Sequence, residues 1–296
     1  MGSGHAHSPA SANKRALILV FGLTTLYLIA EVVGGLVTHS LALLADAGHM
    51  LTDVAGLGLA LMAIRFGERP ATPERTYGFY RVEILAALTN AVVLIGISVF
   101  ILYEAWERFR NPPQISTGPM LAVAVVGLGV NIAGILLLKK SSQESLNMKG
   151  AYFEVLSDML TSVGVIIAAV IMWSTGWYYA DPLISAGIGL FILPRTWMLL
   201  REAVGVLLEG TPSDVNLAAI REKITGLPGV REMHDLHVWT LTSGVNAMSA
   251  HVVIMDDNLH DLLLSAVHET VTENFKIAHV TVQLENADWR DCESHL

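Results

Sequence analysis

Charge is scarce in this chain. Only 15% of its 296 residues are Asp, Glu, Lys or Arg, where soluble domains carry about 25%. Basic residues are the rarer kind. There are 18 Lys and Arg against 27 Asp and Glu, a net charge of −9, which argues against nucleic acid as a partner. A single cysteine, Cys292, excludes an internal disulfide. The signatures H-E-x-x-H and G-x-S-x-G are absent, so neither a zinc hydrolase nor a serine hydrolase is indicated. The chain is not expected to be an enzyme.

What fills the space is apolar. Such residues make up 53% of the chain, and the mean hydropathy is +0.52. The excess lies before residue 208 and falls into six runs: Ala16–Val37, Leu41–Phe66, Ile84–Trp106, Met120–Leu138, Tyr152–Trp173 and Leu183–Leu208. Each meets the roughly 20 residues that a hydrocarbon core about 30 Å thick demands of a helix. The first run is too long for the apolar core of a signal peptide and no A-x-A site follows it, so it reads as a retained span.

Lys and Arg set the expected orientation. Lys14 and Arg15 precede the first span. Arg65, Arg69, Arg75 and Arg81 separate the second from the third, and Lys139, Lys140 and Lys149 the fourth from the fifth. The opposite side has only Arg108 and Arg110. Both termini are therefore expected in the cytoplasm. Trp173, Trp177, Tyr178 and Tyr179 suit an aromatic belt at the outer interface.

After Leu208 the texture changes. Ser213 or Asp214 reads as the cap of a short helix ending near Ile224. Val230–Leu241 and Val245–Met255 read as strands, Leu259–Phe275 as an amphipathic helix and Ala278–Leu284 as a third strand. The order helix, strand, strand, helix, strand predicts a small α+β domain. The division expected is a His-containing tail over 1–14 (His5, His7), a six-helix membrane domain over 15–208, and a cytoplasmic domain over 209–296.

Four ionisable side chains interrupt two of the apolar runs. His49 and Asp53 lie in the second, Glu154 and Asp158 in the fifth. Each pair is spaced i,i+4, which projects both members from one helix face. Such residues at membrane depth cost at least about 2.5–3.5 kcal/mol each, and are functional by default. One imidazole and three carboxylates suit zinc, with cobalt also acceptable. Three carboxylates crowded in a low-dielectric medium repel one another, so a metal-free site must hold protons. Metal and proton then exclude each other, the minimum that antiport needs. Glu31, Asn90 and Asn131 also interrupt apolar runs, lining a wet path or locking helices together.

Three stretches carry a family resemblance. They are Ala45-Asp-Ala-Gly-His-Met-Leu-Thr-Asp53, Arg75-Thr-Tyr-Gly-Phe-Tyr-Arg-Val-Glu-Ile-Leu-Ala-Ala-Leu-Thr-Asn90 and Gly150-Ala-Tyr-Phe-Glu-Val-Leu-Ser-Asp158, with His234-Asp-Leu-His-Val-Trp239 and His279-Val-Thr-Val-Gln-Leu-Glu285 further on. The chain resembles the cation diffusion facilitators, most closely the bacterial CzcD-type branch of zinc, cobalt and cadmium exporters. That resemblance implies an α-helical polytopic protein with six transmembrane helices, a metallochaperone-like cytoplasmic domain and a homodimer in the bacterial inner membrane. It implies exchange of divalent metal for protons, with His49, Asp53, Glu154 and Asp158 as transport ligands. Most zinc-selective relatives carry His where this chain has Glu154, so handling of Co2+ and Cd2+ beside Zn2+ is expected.

The resemblance further implies metal binding in the cytoplasmic domain. His234, His251 and Glu285 fall at matching positions. His237, Gln283, Cys292 and His295 are further candidates, the last two across a dimer. It also implies an interlock between Arg81 and Glu209 at the cytoplasmic surface. No His lies between Arg65 and Arg81, so the extra site that some relatives hold there is expected to be missing. A rival reading makes the chain a non-transporting metal sensor or scaffold. The buried quartet weighs against it, because a pure sensor has no use for so expensive a site.

Overall fold

The structure is a computed structural model and describes residues 9–67, 72–139 and 146–286. Side chains are described for fewer of these, and those of Asp53 and Glu154 lie outside the set. The chain divides into two units, Met1–Met62 with Ala87–Leu200, and Ala63–Ala86 with Arg201–Leu296.

The first unit is helical. Its elements are α1 (Pro9–Thr38), α2 (Leu41–Gly67), α3 (Tyr80–Arg110), α4 (Thr117–Leu138), α5 (Leu146–Thr175) and α6 (Ala180–Leu207), with the end of α2, the start of α3 and the end of α6 belonging to the second unit. Segments of five are long and apolar enough to cross a membrane: Phe21–Thr38, Tyr80–Arg110, Thr117–Leu138, Val155–Thr175 and Ala180–Leu207. In the sixth, α2, Leu41–Thr52 forms a shorter apolar stretch of a 27-residue helix. Large apolar side chains such as Leu26, Leu36, Leu136 and Trp173 face outward. Lipid explains that arrangement, since apolar tails solvate such a surface and leave polar groups to turn inward. The inner face packs Leu41, Leu43, Ile101, Met120, Val165 and Met172.

The second unit carries the α+β fold. It consists of α7 (Leu217–Thr225), β1 (Val230–Thr242), β2 (Val245–Ile254), α8 (His260–Phe275) and β3 (His279–Glu285). The sheet order is β1-β2-β3, with β1 antiparallel and β3 parallel to the central β2. Ile220, Ile224, Val238, Met248, Val252, Leu263 and Val267 fill its core. The expected element order matches. The expected cap of α7 does not: Asn216 caps it, accepting from the backbone of Ala218 at 3.0 Å and Ala219 at 3.2 Å. Ser213 and Asp214 stand too far upstream to reach those amides.

Gly229, at φ 98°, opens β1 where a side-chain carbon would lie 2.8 Å from Leu259. Both the conformation and the space call for glycine there.

Candidate metal sites

α2 and α5 bring one member of each ionisable pair together. His49 Nε2 lies 3.3 Å from Asp158 Oδ1, with side chains only 4% and 3% exposed. An imidazole and a carboxylate at that distance inside an apolar bundle are either an ion pair or two ligands awaiting a shared cation. Asp53 and Glu154 stand one helical turn away on the same two helices, and their side chains fall outside the described residues.

Two hydroxyls of α5 lie on Asp46, one turn before His49 on α2. The Thr161 hydroxyl, on α5, lies 2.5 Å from Asp46 Oδ1 and 2.9 Å from the Asp158 carbonyl. The Ser162 hydroxyl donates to Asp46 Oδ2 at 3.4 Å and accepts from the Asn131 amide at 3.1 Å. Sequence reasoning passed over Thr161 and Ser162. The signal available was two consecutive hydroxyl residues one turn after Asp158.

In the first turn of α6, Asp181 is wholly buried, 0% exposed. Its oxygens accept from Ser40 Oγ at 2.7 Å, Leu41 N at 2.9 Å and Ala42 N at 3.1 Å, and Arg108 Nη1 lies 3.5 Å away. A carboxylate is thus set on the orphan amides that begin α2, the helix carrying His49.

The sheet of the second unit holds the one group of three or more metal-type ligands among the described residues: His234, His251 and Glu285. His234 and His251 are cross-strand partners, and His251 faces Gln283 on β3. His251 Nδ1 lies 2.6 Å from Glu285 Oε1 and His234 Nε2 lies 3.3 Å from Oε2, while Glu285 itself is 2% exposed. Gln283 donates to Glu285 Oε1 at 3.2 Å, which fixes the carboxylate. Metal bonds of about 2.0–2.2 Å draw such donors to this spacing, and two imidazoles with one carboxylate suit zinc. The donor set therefore fits a divalent ion.

His237 is not brought into this cluster. A register shift between His234 and His237, with Asp235 at φ 50°, sets His237 opposite Ser249, two residues along β2 from His251. There its ring lies exposed, 3.3 Å from Asp235. Cys292 and His295 lie outside the described residues, as do His5 and His7.

Within the second unit Arg81 Nη2 meets Glu209 Oε1 at 2.7 Å, both well exposed. Glu83, two residues on, accepts from the hydroxyls of Thr242 and Ser243 at the β1–β2 turn.

Comparison with known proteins agrees along the whole chain. Residues 17–208 match the family model for the cation efflux transmembrane domain, and residues 212–287 that for the cation efflux protein cytoplasmic domain. The metal cation efflux system protein CzcD of Cupriavidus metallidurans is 49% identical over 97% of this chain and 91% of its own. A cadmium, cobalt and zinc/H(+)-K(+) antiporter of Bacillus subtilis is 43% identical over 95% of this chain and 92% of its own. A solved structure, the metal-bound C-terminal domain of the CzcD transporter from the first of these organisms, is 40% identical over 24% of this chain and 99% of its own, with a TM-score of 0.23. With both family models matched in order and relatives this similar from end to end, the chain belongs to the cation efflux family, the cation diffusion facilitators.

Proposed function

We propose that this protein exports divalent metal cations, zinc together with cobalt and cadmium, in exchange for protons. The path runs from cytoplasm to periplasm across a bacterial inner membrane. His49, Asp53, Glu154 and Asp158 form the transport site. The burial of His49 against Asp158 at 3.3 Å, between two membrane-length helices, carries the reading. No soluble-enzyme chemistry requires such a pair in lipid, and a cation passing through does. The names of the similar proteins point the same way: one is a metal cation efflux protein, another a cadmium, cobalt and zinc antiporter that names H(+) and K(+).

The remaining assignments follow from the same reading. Residues 15–208 are the transport domain and 209–296 the cytoplasmic domain, through which two copies pair as a homodimer. Both termini face the cytoplasm, a reading that the distribution of Lys and Arg supports. His234, His251 and Glu285 hold a regulatory divalent ion, which would supply positive charge to a buried carboxylate between two imidazoles. Arg81 and Glu209 form the interlock.

The test is zinc flux into proteoliposomes under an imposed pH gradient, comparing wild type with Asp158→Ala. Zinc moving one way and protons the other in wild type, and neither in the variant, is the expected result. Wild type that binds zinc and moves none overturns the export reading.

A further inference from the structure

A second set of polar side chains lies deep in the helical unit, beside the His49–Asp158 pair and distinct from it. Glu31 on α1 is 0% exposed, and neither of its carboxylate oxygens accepts a hydrogen bond in good geometry. Its polar neighbours are the Tyr27 hydroxyl, one turn earlier on α1, and the Asp46 carboxylate on α2. The Tyr27 hydroxyl also lacks a hydrogen bond in good geometry and rests against Gly127 of α4, where a side-chain carbon would lie 1.7 Å from it. One turn along α4, Asn131 gives its amide to Ser162 at 3.1 Å, and its carbonyl oxygen receives no donor. Side chains of four helices are thus linked through Ser162 and Asp46, and the Glu31 carboxylate and the Asn131 carbonyl are short of donors.

The two carboxyl groups are not equivalent. Asp46 takes Thr161 at 2.5 Å and Ser162 at 3.4 Å, which supports its anionic form. Glu31 has only the Tyr27 hydroxyl beside it as a donor. Two buried carboxyl groups side by side cannot both stay ionised without a cation between them. The donors on offer are carboxylate, amide carbonyl and hydroxyl oxygens. Imidazole and thiolate, which would select zinc or cadmium, are missing, so the set is hard where the His49 site is softer. One positive charge leaves the pair with a single negative charge, which the hydroxyls of Thr161 and Ser162 already stabilise.

We propose that Tyr27, Glu31, Asp46 and Asn131 form a binding site for the monovalent counter-ion of export, a proton or a potassium ion. The inference rests on the export reading above. Its coupling to the metal site is short. Asp46 precedes His49 by one turn of α2, and Thr161 follows Asp158 by one turn of α5. The single proton of the Thr161 hydroxyl serves either Asp46 Oδ1 or the Asp158 carbonyl, not both at once. The titratable groups that face Glu31 are Tyr27 from α1, Asp46 from α2 and Asp158 from α5, and α4 has none. A cation held here and a divalent cation at His49 and Asp158 repel each other through a low-dielectric interior, so occupancy alternates.

The test uses the full chain in proteoliposomes, with zinc flux driven either by a proton gradient alone or by a potassium gradient alone. Wild type, Glu31→Gln, Glu31→Asp and Asp46→Asn are compared, and zinc binding is titrated in detergent. Glu31→Gln is expected to bind zinc within about threefold of wild type, while gradient-driven flux falls at least about tenfold. Glu31→Asp, which keeps the carboxyl, is expected to stay within about threefold in both. The gradient whose effect disappears in Glu31→Gln identifies the cation. Flux at the wild-type rate under both gradients in Glu31→Gln overturns the proposal. So does equal loss of zinc binding in Glu31→Gln and Glu31→Asp, which marks a structural role. Should Glu31→Gln fail to fold, Asp46→Asn decides by the same readouts. Wild type that moves zinc under neither gradient overturns the export reading first, and the counter-ion role with it.

Discussion

Asp181, at the start of α6, closes the N-terminus of α2 from 140 positions away, with Oδ2 accepting from Leu41 N at 2.9 Å. Oδ1 accepts from Ser40 Oγ and Ala42 N, and Arg108, on α3, balances the charge at 3.5 Å. The helix that presents His49 is therefore anchored at one end by a residue of another helix.

Asp181→Ala is expected to destabilise the protein by about 1–3 kcal/mol, since it strips a helix cap and leaves buried donors without acceptors. Asp181→Asn keeps one acceptor oxygen and should fall between Ala and wild type. Thermal unfolding of the detergent-solubilised protein measures this. Equal midpoints for all three would show that the cap contributes nothing.

His49→Ala and Asp158→Ala should each reduce zinc affinity by more than the roughly 10–100-fold that loss of an outer partner of a metal ligand costs. Because the two side chains meet at 3.3 Å, their effects should not add. The double variant is expected to bind zinc about as weakly as the worse single one. Isothermal titration at fixed pH reads this, and strict additivity would show that the two act at separate places.

Glu285→Gln is expected to remove one zinc per chain from the purified protein, as counted by elemental analysis. Glu285 is the buried member that both imidazoles share. Zinc at about 100 times its Kd should stabilise the folded wild type by about 2.7 kcal/mol per site, and chelation should remove that gain. In Glu285→Gln the part belonging to the cytoplasmic site should be missing. An unchanged metal count would place the ion elsewhere.

Arg81→Ala breaks a 2.7 Å pair whose side chains are 39% and 61% exposed. Such pairs contribute about 0–1 kcal/mol and weaken with salt. Unfolding at low and high ionic strength should show only that small change. The interlock reading further expects zinc flux or dimer retention on size exclusion to fall by more than the stability change explains. Unaltered flux and an unaltered dimer would reduce the pair to two solvated charges.

The expected elements and the observed ones agree where the signal is local. The helices of the membrane region follow from apolar length alone, and the helix, strand, strand, helix, strand order from turn residues and periodicity. His49 and Asp158 were legible because an ionisable residue in an apolar run is conspicuous. His234 and His237 stand three apart on one strand, a spacing that puts them on opposite faces if the strand is regular. The irregularity at Asp235 instead returns His237 to the face of His251 but sets it opposite Ser249, two residues along β2, so that His234 meets Glu285 and His237 stays exposed. Asp181, Thr161 and Ser162 escaped notice because their partners lie on other helices, and no local pattern announces a partner 115 or 140 positions away.

The sequence by itself thus determined membrane residence, the number and order of elements and the spacing of each ionisable pair. Helix periodicity and transfer to lipid are properties of neighbouring residues, and they act before any packing is chosen. The tertiary structure decided that His49 meets Asp158. It set Tyr27 against Gly127 and Glu31 beside Asp46, and it seated Asp181 on the start of α2. Those contacts depend on how ridges of one helix settle into another, and on buried polar groups finding partners wherever the packed bundle offers them.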